Sequence, residues 1–157
     1  MTSFRMQGLN PAAFSAFFQL DDAALAARQM ARVVADGQQG FPCRVSLVDA
    51  GVGEELLLLS YQHQPADSPY RASGPIFVRR AAGSTVLLPG QVPASVLRRL
   101  MSLRAYDAAE RIVSADVQPG EAVADWLQRV FDDADVAYVH LHYARYGCFA
   151  CRADRAE

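Results

Sequence analysis

The sequence predicts an α+β fold: a single globular domain, residues 1–157, with a mixed, mostly antiparallel sheet and helices packed on one face. Three observations predict it. Short segments alternate apolar and polar residues and are joined as hairpins, with few long strand–helix–strand alternations. Two stretches have helical periodicity, the stripe Phe14, Phe17, Phe18 and the longer face Val123, Trp126, Leu127, Val130, Phe131. Finally, 157 residues that are 52% hydrophobic suffice for one core and leave little room for a second domain.

Taken in order, Phe4–Leu9 alternates as a first strand, and Asn10-Pro11 caps a helix over Ala12–Leu20. Asp21 starts an alanine-rich helix to about Ala31, and Val33-Val34 is a strand fragment before the turn at residues 36–40. Cys43–Val48 and Glu55–Gln62 read as strands around a glycine-containing connection. Gln62–Gly74 is a polar loop stiffened by prolines, followed by strands at Pro75–Arg79 and Thr85–Leu88. A short helix at Ala94–Arg99 precedes the strands Leu100–Tyr106 and Arg111–Val117. Pro119-Gly120-Glu121 opens the last helix, and Val136–Tyr143 with Cys148–Ala153 closes the chain as a hairpin.

Composition narrows the function classes. A net charge of −2 offers no basic field for nucleic acid, so none is expected as a partner. No apolar run approaches the roughly 20 residues that span a bilayer, so no membrane association is expected. Met1–Met6 lacks the pattern of a signal peptide, and three cysteines are an odd number for a disulfide framework. The expectation is a soluble, cytoplasmic, bacterial-looking protein. All 15 basic residues are arginine, which excludes lysine Schiff-base chemistry and a Walker-type phosphate lysine. Anion recognition must then go through arginine or backbone N–H groups.

The last hairpin concentrates the chemistry. His140 and His142 share one strand face, with Val139, Leu141 and Tyr143 on the other. Ala144-Arg145-Tyr146-Gly147 suits a type I turn with glycine in the left-handed region. That register pairs His142 with Ala150, placing Cys148, Ala150 and Arg152 on the histidine face and Phe149 with Cys151 on the apolar one. Cys148 and Cys151 then point apart, against a redox pair or a two-cysteine metal knuckle. The feasible metal set would be His140, His142 and Cys148, but plain hydrogen bonding by the histidines is preferred, and no metal or cofactor is expected.

Parity gathers Arg44 with Ser46, Ser60 with Gln62, Ser102 with Arg104 and Ser114 with Asp116 as further polar-face residues. Such a face reads as the floor of a pocket, as an ordinary wet sheet face, or as one covered by a dimer partner. The loop adds His63, Tyr70, Arg71 and Ser73, a set able to hydrogen-bond an anion or sugar, or simply to cap the sheet.

Phe41-Pro42-Cys43-Arg44, the run Ser68–Arg79 and the His140-x-His142 to Gly147-Cys148-Phe149 hairpin together resemble a bacterial family, domain of unknown function 1203. The resemblance covers nearly the whole chain and implies a one-domain bacterial protein, with no established activity to carry over. Tyr143 stands where that family often has asparagine, which makes the spot less polar here.

Two functions are expected as alternatives. One is a pocket for a small, anionic ligand, with Arg44, Tyr70, Arg71, Ser73, Arg104 and Arg152 as binding residues. If it is an enzyme, hydrolysis or group transfer is expected, with Cys148 as nucleophile and His140 or His142 as base. The other is a non-catalytic interaction module, a homodimer joined through the polar face or an open sheet edge.

Overall fold

The computed structural model describes residues 2–157; Met1, the first residue of the N-terminal segment read above, lies outside them. Among the described residues eight strands form two antiparallel sheets, and the fold is α+β. Strands β1 (Phe4–Gln7), β5 (Leu100–Tyr106), β6 (Ile112–Pro119), β7 (Tyr138–Tyr143) and β8 (Phe149–Arg155) make the larger sheet, in the order β1-β8-β7-β5-β6. Strands β2 (Ala31–Val34), β3 (Glu55–Gln64) and β4 (Ala72–Arg79) make the smaller, in that order.

One face of the larger sheet is apolar because alternate residues on neighbouring strands match: Leu103 pairs with Leu141, and Leu141 with Cys151. Helix α3 (Val123–Val130) lays Val123, Trp126 and Leu127 onto that face, as its periodicity predicts. Met6, Val96, Phe131 and Val136 complete this core. A second core lies on the smaller sheet, where Leu57, Leu59, Ile76 and Val78 meet Phe14, Phe18 and Leu25. Leu25 comes from helix α1 (Asp22–Ala27), and Val96 from the short helix α2 (Ala94–Leu97). Among the described residues, no helix is long and apolar enough to cross a membrane.

Four segments differ from expectation. The Ala12–Leu20 helix is instead two 3₁₀ stretches, Pro11–Ala13 and Ser15–Gln19. Here Phe14 N–H bonds to Pro11 and Phe17 N–H to Phe14, the tighter winding that brings residues three apart onto one side. The helix from Asp21 ends early, at Ala27, where Gln29 takes a left-handed φ of 58°.

Cys43–Val48 is a turn rather than a strand, closed by Cys43 N–H to Val48 and Leu47 N–H to Cys43, with only isolated bridges to its neighbours. Its alternation is lost because Cys43, Arg44 and Val45 are all buried. Gly8 permits this packing: a Cβ there would run into the backbone carbonyl of Val45. Thr85–Leu88 likewise makes one bridge, Val86 with Gln7, instead of a strand.

Candidate functional site: a histidine cleft between the sheets

The second face of the larger sheet is neither open nor covered by helices. It carries Tyr138, His140 and His142 from β7 and Tyr106 and Arg104 from β5, and the end of β3 descends onto it. In β3, His63 continues the phase of Leu57, Leu59 and Tyr61, all directed inward. A bulge between Tyr61 and Gln64 bends the strand so that Gln64 also turns in, donating to the Tyr138 hydroxyl at 3.0 Å. Tyr138 in turn hydrogen-bonds the Glu110 carboxylate.

All three histidines of the chain therefore meet. The His63 ring lies 5.0 Å from His142 and 6.2 Å from His140, edge-on in both cases. It stacks on Phe149 at 5.3 Å. This corrects the expected hairpin faces. The β7–β8 register keeps His140 opposite Arg152 and Leu141 opposite Cys151, as anticipated, but a bulge puts Phe149 opposite His142. Phe149 thus joins the histidines, and Ala150 moves into the core. Gly147, at φ 78°, supplies the expected left-handed turn residue.

Parity also placed two pairs on the wrong side. Asp116 pairs with Leu103 and Ser114 with Ala105, so both share the α3 side of the sheet. Ser60 and Gln62 are exposed on the outer side of β3. His63 and Gln64 are the inward residues instead. The usable signal was the alternation Leu57, Leu59, Tyr61, His63, which continues through the segment read as a loop.

Between the sheets lies a cleft of about 270 Å³, lined by His63, the segment Ala72–Pro75, Arg104, His142 and the segment Tyr146–Cys148. His142 is 1% exposed, and its Nδ1 lies 2.9 Å from the Gly147 carbonyl oxygen. A carbonyl only accepts, so Nδ1 carries the proton and Nε2 presents a lone pair. Among the described residues, no group meets that Nε2, nor Nδ1 of His63 or of His140.

Burial pushes His140 down to about 3 and His142 down to about 4, with neighbouring histidines and arginines adding to the effect. For His142 the Gly147 bond opposes the shift. His63 is also lowered, by burial and then by Arg104, so the histidines stand neutral at pH 7.

The arginines divide into committed and free. Arg44 is 2% exposed, and its guanidinium donates to the Phe149 carbonyl at 2.7 Å, the Pro42 carbonyl at 2.5 Å and Cys148 Sγ at 3.0 Å. It also lies over the Tyr143 ring at 4.9 Å. Arg44 therefore builds the wall behind Cys148 rather than reaching the cleft. Arg104 lines the cleft itself; its one side-chain bond is a long 3.4 Å contact to Ser102 Oγ, and no described carboxylate pairs with it.

Of the remaining candidates, Ser73 stands at the rim, while Tyr70 packs edge-on against Tyr106 at 6.1 Å. Arg71 donates to the Pro65 carbonyl at 3.2 Å. Arg152 forks onto Asp154 at 2.7–3.0 Å and covers the Tyr138 ring, away from the cleft. His140 is packed behind the cleft between Tyr106, Tyr138 and Phe149.

Cys148 lines the cleft, whereas Cys151 is sealed in the core, its thiol pushed up to about 12 by burial. Among the described residues no three His, Cys, Asp or Glu side chains are placed to hold a metal ion, the set His140, His142 and Cys148 included. A second cavity, of about 390 Å³, lies beside Asp49, but that buried carboxylate is already paired with Arg99 at 3.0 Å and Arg98 at 3.5 Å.

No curated protein and no solved structure matches the chain. A family profile matches residues 40–155, a span that holds β3, β4, the hairpin and every residue lining the cleft. The chain belongs to the DUF1203 family, proteins of unknown function.

Proposed function

We propose that the cleft binds a small anionic ligand and that Cys148 and His142 give it hydrolase- or transferase-like chemistry. One observation carries this reading: Arg104 without a carboxylate partner, Cys148 and His142 line the same cleft, and His142 Nε2 is buried without a hydrogen-bond partner among the described residues. Arg104 would clamp the anion, its planar fork matching a carboxylate. Cys148 Sγ makes no hydrogen bond to either histidine at rest. On closing that gap, His142 Nε2 would take the thiol proton as sulfur attacks an acyl carbon, then return it to the leaving group, and water would release the acyl group and regenerate the thiol. Arg44 would keep Sγ fixed from behind. We also place the protein in a reducing cytoplasm, where its three cysteines stay free thiols.

Calorimetric titration of the whole chain with a panel of small carboxylates and phosphate tests the binding. Saturable uptake that Arg104→Gln abolishes supports it, and no uptake of any anion refutes it. Intact-mass measurement after mixing with activated acyl esters tests the chemistry, an adduct being expected that Cys148→Ser lacks.

A second reading, a homodimeric interaction module, is favoured by the edge strand β6. Its Val113 and Val117 are 47% and 54% exposed beside an unpaired row of backbone groups. Light scattering decides it: a dimer that Val117→Arg converts to monomer supports the module, and a monomer at all concentrations removes it.

A further inference from the structure

We infer that the ligand of this cleft is a small monocarboxylate bearing a hydroxyl group, with its carboxylate on Arg104 and its hydroxyl donating to His142 Nε2. This rests on the anion-binding reading above and names the ligand class; a ligand so bound occupies the base, so it describes the resting complex and not the acyl-transfer step. The hydrogen-bonding sense of each wall leads to it.

Arg104 presents only donors and lacks a carboxylate partner, so it asks for an acceptor with charge. Arg44, the other guanidinium nearby, is buried, does not line the cleft and is bound to two carbonyls and the Cys148 sulfur. Among the described residues lining the cleft, one cation, Arg104, matches one negative charge, which suits a carboxylate better than a doubly ionised phosphate.

The opposite requirement holds at His142. Gly147 fixes its proton on Nδ1, so the buried Nε2 can only accept, and it has nothing to accept from. A bare carboxylate or phosphate placed there would set lone pair against lone pair. A hydroxyl turns the same position into a hydrogen bond. His63, also neutral at pH 7, adds no second cation that could rescue a dianion. Size agrees: about 270 Å³ lies below the roughly 300–1,000 Å³ of sites for drug-sized ligands, so only a few heavy atoms fit.

The experiment titrates the full chain at pH 7 with glycolate, acetate and inorganic phosphate, separately, by calorimetry and by ¹⁵N spectra of the histidine rings. Glycolate is expected to bind about tenfold more tightly than acetate, the factor for one good hydrogen bond. It should move the His142 Nε2 resonance as well, which acetate should not. Arg104→Gln, a change at a half-buried side chain outside the core, should remove binding of both acids. Equal affinity for glycolate and acetate, or an unmoved Nε2 resonance with glycolate bound, overturns the hydroxyl assignment while anion binding stands. Preference for phosphate overturns the monocarboxylate. Failure of all three probes to bind overturns the anion reading itself.

Discussion

Acidification should destabilise this protein well before its carboxylates titrate, because two neutral histidines are buried between the sheets. His140 and His142 hold folded values of about 3 and about 4, against 6.5 when exposed. The unfolded chain therefore binds protons first as pH falls. Their contribution is fully present above pH 6.5 and is lost progressively below it, until His142 charges in the folded state near 4 and His140 near 3.

At pH 5 each unfolded histidine lies about 1.5 units below its pKa, worth about 2 kcal/mol at 1.36 kcal/mol per unit. The pair should therefore remove about 4 kcal/mol between pH 7 and pH 5, on the order of 10 °C in Tm for a domain this size. The lowered carboxylates Glu54 and Glu55, with an ordinary value of 4.5, add their losses mainly below this window. Urea unfolding at half-unit steps from pH 7 to 5 is the assay. His140→Phe, which suits the aromatic surroundings, should recover about half the slope. A free energy that stays flat from pH 7 to 5, or a full slope in His140→Phe, would refute the reasoning.

Other predictions concern the walls of the cleft. Arg44→Met should cost about 2–5 kcal/mol in urea unfolding, since it orphans the buried carbonyls of Phe149 and Pro42. Gly147→Ala forces a Cβ onto φ 78° and should cost about 1 kcal/mol or more, with a change in the His142 ring nitrogen shifts. In the native protein one thiol, Cys148, should react readily with an aromatic disulfide reagent, and all three should react in denaturant, because Cys43 and Cys151 are buried. Leu141→Ala, at the centre of the larger core, should cost about 2–5 kcal/mol by the same unfolding assay.

The parts of the fold legible in sequence were those where a single face decides. Helix α3 and strand β5 follow their apolar periodicity because each buries one side against the larger core. Cys43–Val48 defeated that logic because three consecutive residues, Cys43, Arg44 and Val45, are buried, and Phe14–Gln19 by winding more tightly than an α-helix.

At the site, the shared face of His140 and His142 followed from strand alternation alone. Two bulges were not legible, since a bulge depends on the partner strand and leaves no mark in local pattern. One of them exchanged Phe149 for Ala150 on the histidine face; the other marks the end of β3, where His63 and Gln64 turn inward.

The bond from His142 to Gly147 gives the hairpin turn a say in the chemistry of the cleft. A lone imidazole exchanges its proton freely between two nitrogens and greets a donor or an acceptor alike. Here a main-chain oxygen, fixed by a residue with left-handed φ, has removed that choice. If the turn were to swing its carbonyl away, the proton could move to Nε2, and the wall that receives hydrogen bonds would begin to offer them. The polarity of the pocket is thus stored in a backbone torsion five residues from the ring, where a substitution that leaves every lining side chain in place can still reverse it.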